Sequence, residues 1–120
     1  MPRILLAEDD DSLRGFLTRA LERAGYEVRS CADGEEALEA LDEVGGWDLL
    51  LTDIVMPGVD GIEVARHAAA RFEGLRIMFI TGFAAVALAA GGGAVAGARV
   101  LSKPVHLREI VAEVERMIAA

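Results

Sequence analysis

The chain has 120 residues, enough for one core of ordinary size and too few for two, so a single domain over residues 1–120 is expected. Twelve basic against twenty acidic side chains give a formal charge of -8, and a surface of that sign repels phosphate backbones and anionic lipid, which excludes nucleic acid and membrane as expected partners. A lone Cys31 cannot form an internal disulfide and no basic-then-apolar leader opens the chain, so a reducing cytoplasm is the expected compartment.

Ile4, Leu5 and Leu6 form an apolar run that reads as a first strand. After the acids Glu8, Asp9, Asp10 and Asp11 the spacing changes. Leu13, Phe16, Leu17, Ala20, Leu21 and Ala24 mark one face of a helix, capped by Asp10 or Asp11 and stopped by Gly25. Residues 26–30 read as a weaker strand, and residues 34–44 return to helical spacing through Ala37, Ala40, Leu41 and Val44, ending at Gly45 and Gly46. Leu49, Leu50 and Leu51 make a third strand before the turn residues Pro57, Gly58, Asp60 and Gly61. A third helix follows through Ile62, Ala65, Ala69 and Phe72, then a fourth strand over residues 77–80. A further helix over 84–90 is expected to fray at Gly91, Gly92 and Gly93, making 84–98 the most mobile stretch. Residues 99–101 form a fifth candidate strand, and Leu107, Ile110, Val111, Val114 and Met117 mark a last helix.

Residues 77–98 carry no charge and are long enough to span a bilayer. Five of them are Gly and eight are Ala, so their transfer energy is poor, and only 77–80 is strongly apolar. That suits a short buried strand. Strands that are apolar throughout, alternating with helices, predict an α/β protein whose parallel sheet is covered on both faces.

In a parallel sheet the residues just past the carboxyl ends of the strands share one edge, where ligands bind. Here that edge would collect Glu8 and Asp9 from strand one, Asp53 from strand three, Thr81 from strand four, and Lys103 followed by Pro104 from strand five. Crowded carboxylates repel unless something positive sits among them. A hard divalent cation is the natural occupant, and Mg²⁺ on Asp9 and Asp53, with Glu8 farther out, matches its preference for one or two carboxylates plus water and phosphate oxygens. Lys103 adds a point charge suited to a phosphoryl oxygen and Thr81 a hydroxyl. One carboxylate could then act as nucleophile and take up a phosphoryl group as an acyl phosphate.

These residues resemble the response-regulator receiver domain of two-component signalling. Glu8-Asp9 is similar to its acidic pair, residues 51–61 (LTDIVMPGVDG) to its phosphoacceptor segment, and Thr81 and Lys103-Pro104 to its other two signature positions. The resemblance covers the whole chain. It implies a flavodoxin-like, doubly wound sheet of strand order 2-1-3-4-5 and a receiver domain over 1–120 with no output domain. It also implies that Asp53 is the phosphoacceptor, fed by a histidine kinase or histidine phosphotransfer protein. Mg²⁺ would be held by Asp9, Asp53 and the Val55 carbonyl, with Glu8 reaching it through water, and the peptide between Lys103 and Pro104 would be cis. Within the family, residues 77–88, 100–104 and 113–120 are similar to single-domain receivers that act as adaptors for the ClpXP protease unfoldase and its degradation substrates, active when unphosphorylated. Two positions depart from the usual pattern. Val100 stands where an aromatic switch residue is common, and Gly82 follows Thr81, so backbone motion of the loop over 82–90 is expected to carry the signal.

Two other function classes fit parts of this pattern. A phosphoryl shuttle between histidine proteins would need no effector, and an Mg²⁺-dependent phosphatase-like enzyme would need a second acid two residues past the nucleophile, where Val55 stands. The expectation is therefore a regulator and not an enzyme. His67 and His106 are read as helix-surface and helix-start residues, Trp47 as a packing residue at the amino edge of the sheet, and Cys31 as a small core residue.

Overall fold

The computed structural model describes residues 1–43, 45–82, 98–103 and 106–119. Among these, the order is β1 (Arg3–Ala7), α1 (Asp11–Arg23), β2 (Glu27–Cys31), α2 (Gly34–Glu43), β3 (Leu49–Asp53), α3 (Gly61–Arg71), β4 (Arg76–Thr81), β5 (Arg99–Ser102) and α4 (Leu107–Ala119). The helix expected over 84–90, and all but the last residue of the stretch 84–98 expected to be mobile, lie outside the described residues, as does the peptide to Pro104.

The five strands pair in parallel in the order β2-β1-β3-β4-β5. Successive side chains of a strand point to opposite faces, and in β1 both directions are buried: Ile4 and Leu6 enter one core layer, Leu5 and Ala7 the other. The first layer is completed by Leu17 and Leu21 of α1 and by Ile110 and Val114 of α4. The second is completed by Ala37, Ala40 and Leu41 of α2 and by Val64, Ala65 and Ala68 of α3. Helices thus cover both faces, which is why β1, β3 and β4 are continuous apolar runs. The alanines let α2 and α3 sit close to the sheet.

Asp10, not Asp11, caps α1, its Oδ1 accepting the Leu13 N–H at 2.8 Å, while Asp60 caps α3 by accepting from Glu63 at 2.9 Å. Phe16 does not join the core: it is 52% exposed, because at about 100° per residue it lies a quarter-turn round from Leu17, and the Arg19 guanidinium lies over its ring. In α3 Ala68 faces the sheet and Ala69 does not. No helix of the described residues is long and apolar enough to cross a membrane.

At the amino edge of the sheet Trp47 is buried, with the Arg3 guanidinium 4.5 Å above its ring centroid. Arg3 also donates to the Gly45 carbonyl at 2.7 Å, and its own N–H donates to Asp48 at 2.8 Å. Trp47 therefore reports on the end of the sheet opposite to Asp53, about 20 Å away over six extended residues at about 3.3 Å each. Titrating Mg²⁺ should leave Trp47 fluorescence within a few per cent of its starting intensity, checked by emission scans; strong quenching would mean that the metal acts at the wrong end of the sheet.

Candidate functional site

Each acid is placed by the end of a strand. β1 delivers Glu8, whose N–H donates to the Cys31 carbonyl at 3.1 Å, so the acid pair is tied to the end of β2 as well. β3 ends on Asp53, and β4 ends on Thr81, which is fully buried. The Thr81 carbonyl accepts the Lys103 N–H at 2.8 Å, so β4 and β5 bring that lysine to the same edge.

Glu8 and Asp53 are buried, at 1% and 5% exposure, while Asp9 is open to solvent. Carboxylate oxygens of the three lie within 4.8 Å of one another. The Lys103 Nζ sits 2.7 Å from Asp53 Oδ2 and 3.2 Å from Glu8 Oε1. Asp53 Oδ1 accepts the Val55 N–H at 3.2 Å, Glu8 Oε2 accepts the Asp10 N–H at 3.0 Å, and the Arg14 guanidinium donates to the Glu8 carbonyl at 2.9 Å. Thr52 turns its hydroxyl to the Asp53 carbonyl at 2.9 Å.

Burial pushes the Glu8 carboxyl up to about 7, with the Asp53 charge adding to the rise and the Asp10 N–H and Lys103 opposing it. Burial pulls the Lys103 ammonium down, but its hydrogen bond to Asp53 and the charges of Asp53 and Glu8 outweigh this and hold it above its ordinary value. A carboxylate with acids able to hold a cation on one side and an ammonium on the other is disposed to receive an electrophile carrying several negative oxygens. Three hard oxygen donors, one of them solvent-open, fit Mg²⁺, which keeps several waters and seldom takes more than two carboxylates directly.

The site residues expected from sequence, Glu8, Asp9, Asp53, Thr81 and Lys103, therefore meet at one sheet edge, and the Val55 backbone joins them with its side chain turned outward, 53% exposed. Val100 is half-buried against the core layer of α2 and α3. The two histidines lie elsewhere: His67 on α3 is 2.9 Å from Asp42 of α2, and His106 precedes α4, its carbonyl accepting the Glu109 N–H. Cys31 is buried, and that burial pushes its thiol up to about 11, as suits a packing residue.

Gly61 belongs to the site and was legible only as turn chemistry. Its N–H donates to the Ile54 carbonyl at 2.9 Å, and a Cβ there would fall 2.8 Å from the Asp53 carbonyl carbon, closer than real Cβ atoms approach backbone. The helix of Asp60 and Gly61 can thus start directly against the residue that carries the central carboxylate.

Comparison with known proteins places this arrangement. The family model described as "Response regulator receiver domain" matches residues 4–115. Over 120 residues the chain is 57% identical to the response regulator receiver protein CpdR of Brucella abortus (strain 2308), covering 100% of this chain and 99% of that protein. A response regulator receiver protein from Sinorhizobium medicae WSM419 superposes with a TM-score of 0.91 at 31% identity, over 99% of this chain and 95% of that one. The response regulator TrrA of Thermotoga maritima, solved in complex with Mg(2+)-BeF, superposes with a TM-score of 0.85 at 29% identity, over 98% of this chain and 99% of that one.

Proposed function

The chain belongs to the response regulator receiver family, and on that premise we propose that it is a phosphorylation switch in a phosphorelay, with Asp53 as phosphoacceptor and Mg²⁺ as cofactor. The observation that carries this reading is the setting of Asp53. It is a nearly buried carboxylate at the end of the central strand, with Lys103 on Oδ2, the Val55 N–H on Oδ1, and two further acids within metal-sharing distance.

The donor is a phosphohistidine on a histidine kinase or histidine phosphotransfer protein. An Asp53 carboxylate oxygen attacks phosphorus, a P–O bond forms as the P–N bond breaks, and the departing imidazole nitrogen takes up a proton from water. Asp9, Asp53 and the Val55 carbonyl would hold Mg²⁺, with Glu8 acting through water, and the ion would supply positive charge to the phosphoryl oxygens. Lys103 stays charged at neutral pH, as the raised pKa ensures, and offers its ammonium to the transferred group. Thr81 offers its hydroxyl to another phosphoryl oxygen. The family is regulatory, and an acyl phosphate so formed is a signal state with at most slow self-dephosphorylation.

The output is phosphorylation-gated protein binding by the receiver, working in the cytoplasm. The partner is a protease unfoldase of the ClpXP type together with its degradation substrates, engaged while Asp53 is unmodified and released on phosphorylation. The likeness to CpdR over the full length supports the adaptor reading, and the acidic surface suits a protein partner better than DNA. A pulldown tests it. Wild type and Asp53→Ala should both retain the purified unfoldase, and a phosphorylating histidine kinase with Mg²⁺ and ATP should strip it from wild type alone. No retention by either protein, with phosphate instead passing from Asp53 to a second histidine protein, would establish the shuttle.

A further inference from the structure

The turn into α2 is closed from both sides. Asp33 Oδ1 accepts the Glu36 N–H at 2.8 Å, and Glu36 Oε2 reaches back to accept the Ala32 N–H at 2.8 Å, a reciprocal arrangement that fixes the first helical turn. Immediately before it, the Cys31 carbonyl holds the Glu8 N–H. The first residue of the helix, Gly34, is buried, and a Cβ there would lie 2.8 Å from the Val59 Cβ and closer still to the Val59 carbonyl oxygen. What it would meet is the Val59 backbone and the Cβ fixed to it, not the free end of a flexible side chain.

The loop over residues 54–60 is therefore seated on bare backbone at two points, Gly61 against Asp53 and Gly34 against Val59. Between them lies Val55, whose N–H holds Asp53 Oδ1. Since the capped turn and the Cys31 bond keep Gly34 in place, a side chain at 34 must displace the loop and not the helix. We infer that Gly34 is a positioning residue for the acidic site: it brackets the two acid-bearing segments, Glu8 through Cys31 and Asp53 through Val59, and so sets how well the site holds its divalent cation. The inference rests on the phosphoacceptor reading, because the property it tunes is the Mg²⁺ that Asp53 shares.

Gly15 provides the contrast. It also lies in a helix, but a Cβ there would meet only the Arg19 guanidinium, at an ordinary 3.5 Å. Gly15→Ala should leave metal binding alone and raise stability slightly, as such a change does where the conformation is compatible. Gly34→Ala should raise the half-saturating Mg²⁺ concentration by about tenfold or more, the size of effect usual for residues that orient metal ligands. Mg²⁺ binding is read from the Val55 amide resonance, phosphorylation from the rate with a small phosphodonor, and folding from the thermal midpoint. The expected signature is a split: slow phosphorylation at low Mg²⁺ that recovers at saturating Mg²⁺, in a folded protein. Should Gly34→Ala fail to fold, Val59→Gly loosens the same contact from the loop side without adding volume and should shift Mg²⁺ binding in the same direction. Wild-type Mg²⁺ affinity in whichever of these variants folds overturns the positioning role. Failure of wild type and Gly15→Ala to bind Mg²⁺ or to label Asp53 overturns the phosphoacceptor reading itself, and the positioning role with it.

Discussion

Replacing Asp53 by Asn should reduce labelling by a small phosphodonor and Mg²⁺ to background. The amide keeps the shape, so the Val55 N–H retains an acceptor, but it has no negative oxygen to attack phosphorus and presents a neutral group to Lys103. The neighbouring acids cannot take over. Glu8 is fully buried, with one oxygen on Lys103 and the other on the Asp10 N–H. Asp9 is solvent-open and is the acid disposed to bind metal. Trapping the acyl phosphate as a stable adduct and locating it by mass spectrometry checks both halves; undiminished label in Asp53→Asn would move the acceptor to another residue.

The largest loss of stability should come from Phe79→Ala. Phe79 is a fully buried side chain at the middle of β4, in register with Thr52 of β3 on one side and Val100 of β5 on the other. It packs in the layer under α2 and α3, where much of the remaining helix surface is alanine, so few large neighbours can move in to fill the void. Truncating a buried Phe costs about 3–5 kcal/mol, a large share of the roughly 5–15 kcal/mol that stabilises a domain. Urea titration should show the midpoint falling sharply at an unchanged slope. A cost of about 1 kcal/mol would show that the layer collapses around the gap, and Phe79→Leu should lie between the two.

The parts of the fold that could be read from the sequence are those where one physical cause dominates. β1, β3 and β4 stand out because burial on both faces selects apolar side chains along most of their length, whereas β2, at the edge, exposes Glu27, Arg29 and Ser30 and shows only a weak pattern. The acidic site was legible because parallel strands carry their terminal residues to one edge whatever the loops between them do. Phe16 was misplaced because periodicity locates a face only to within its width, and a residue at its margin can be in or out. The Arg3 stack on Trp47 and the seats at Gly61 and Gly34 depend on atoms brought together from distant parts of the chain, and a glycine in sequence does not say whether it is there for its backbone freedom or for the backbone pressed against it.

Gating of protein binding by the state of Asp53 is measured most directly by titrating the purified unfoldase with the full chain in Mg²⁺, with and without beryllofluoride. That complex occupies the place of the phosphoryl group on Asp53 without being hydrolysed. Tight binding without beryllofluoride, weakened at least about tenfold by it, a difference of about 1.4 kcal/mol between the two states, is the expected result. Equal affinity in both states, with beryllofluoride shown to be bound, would contradict it.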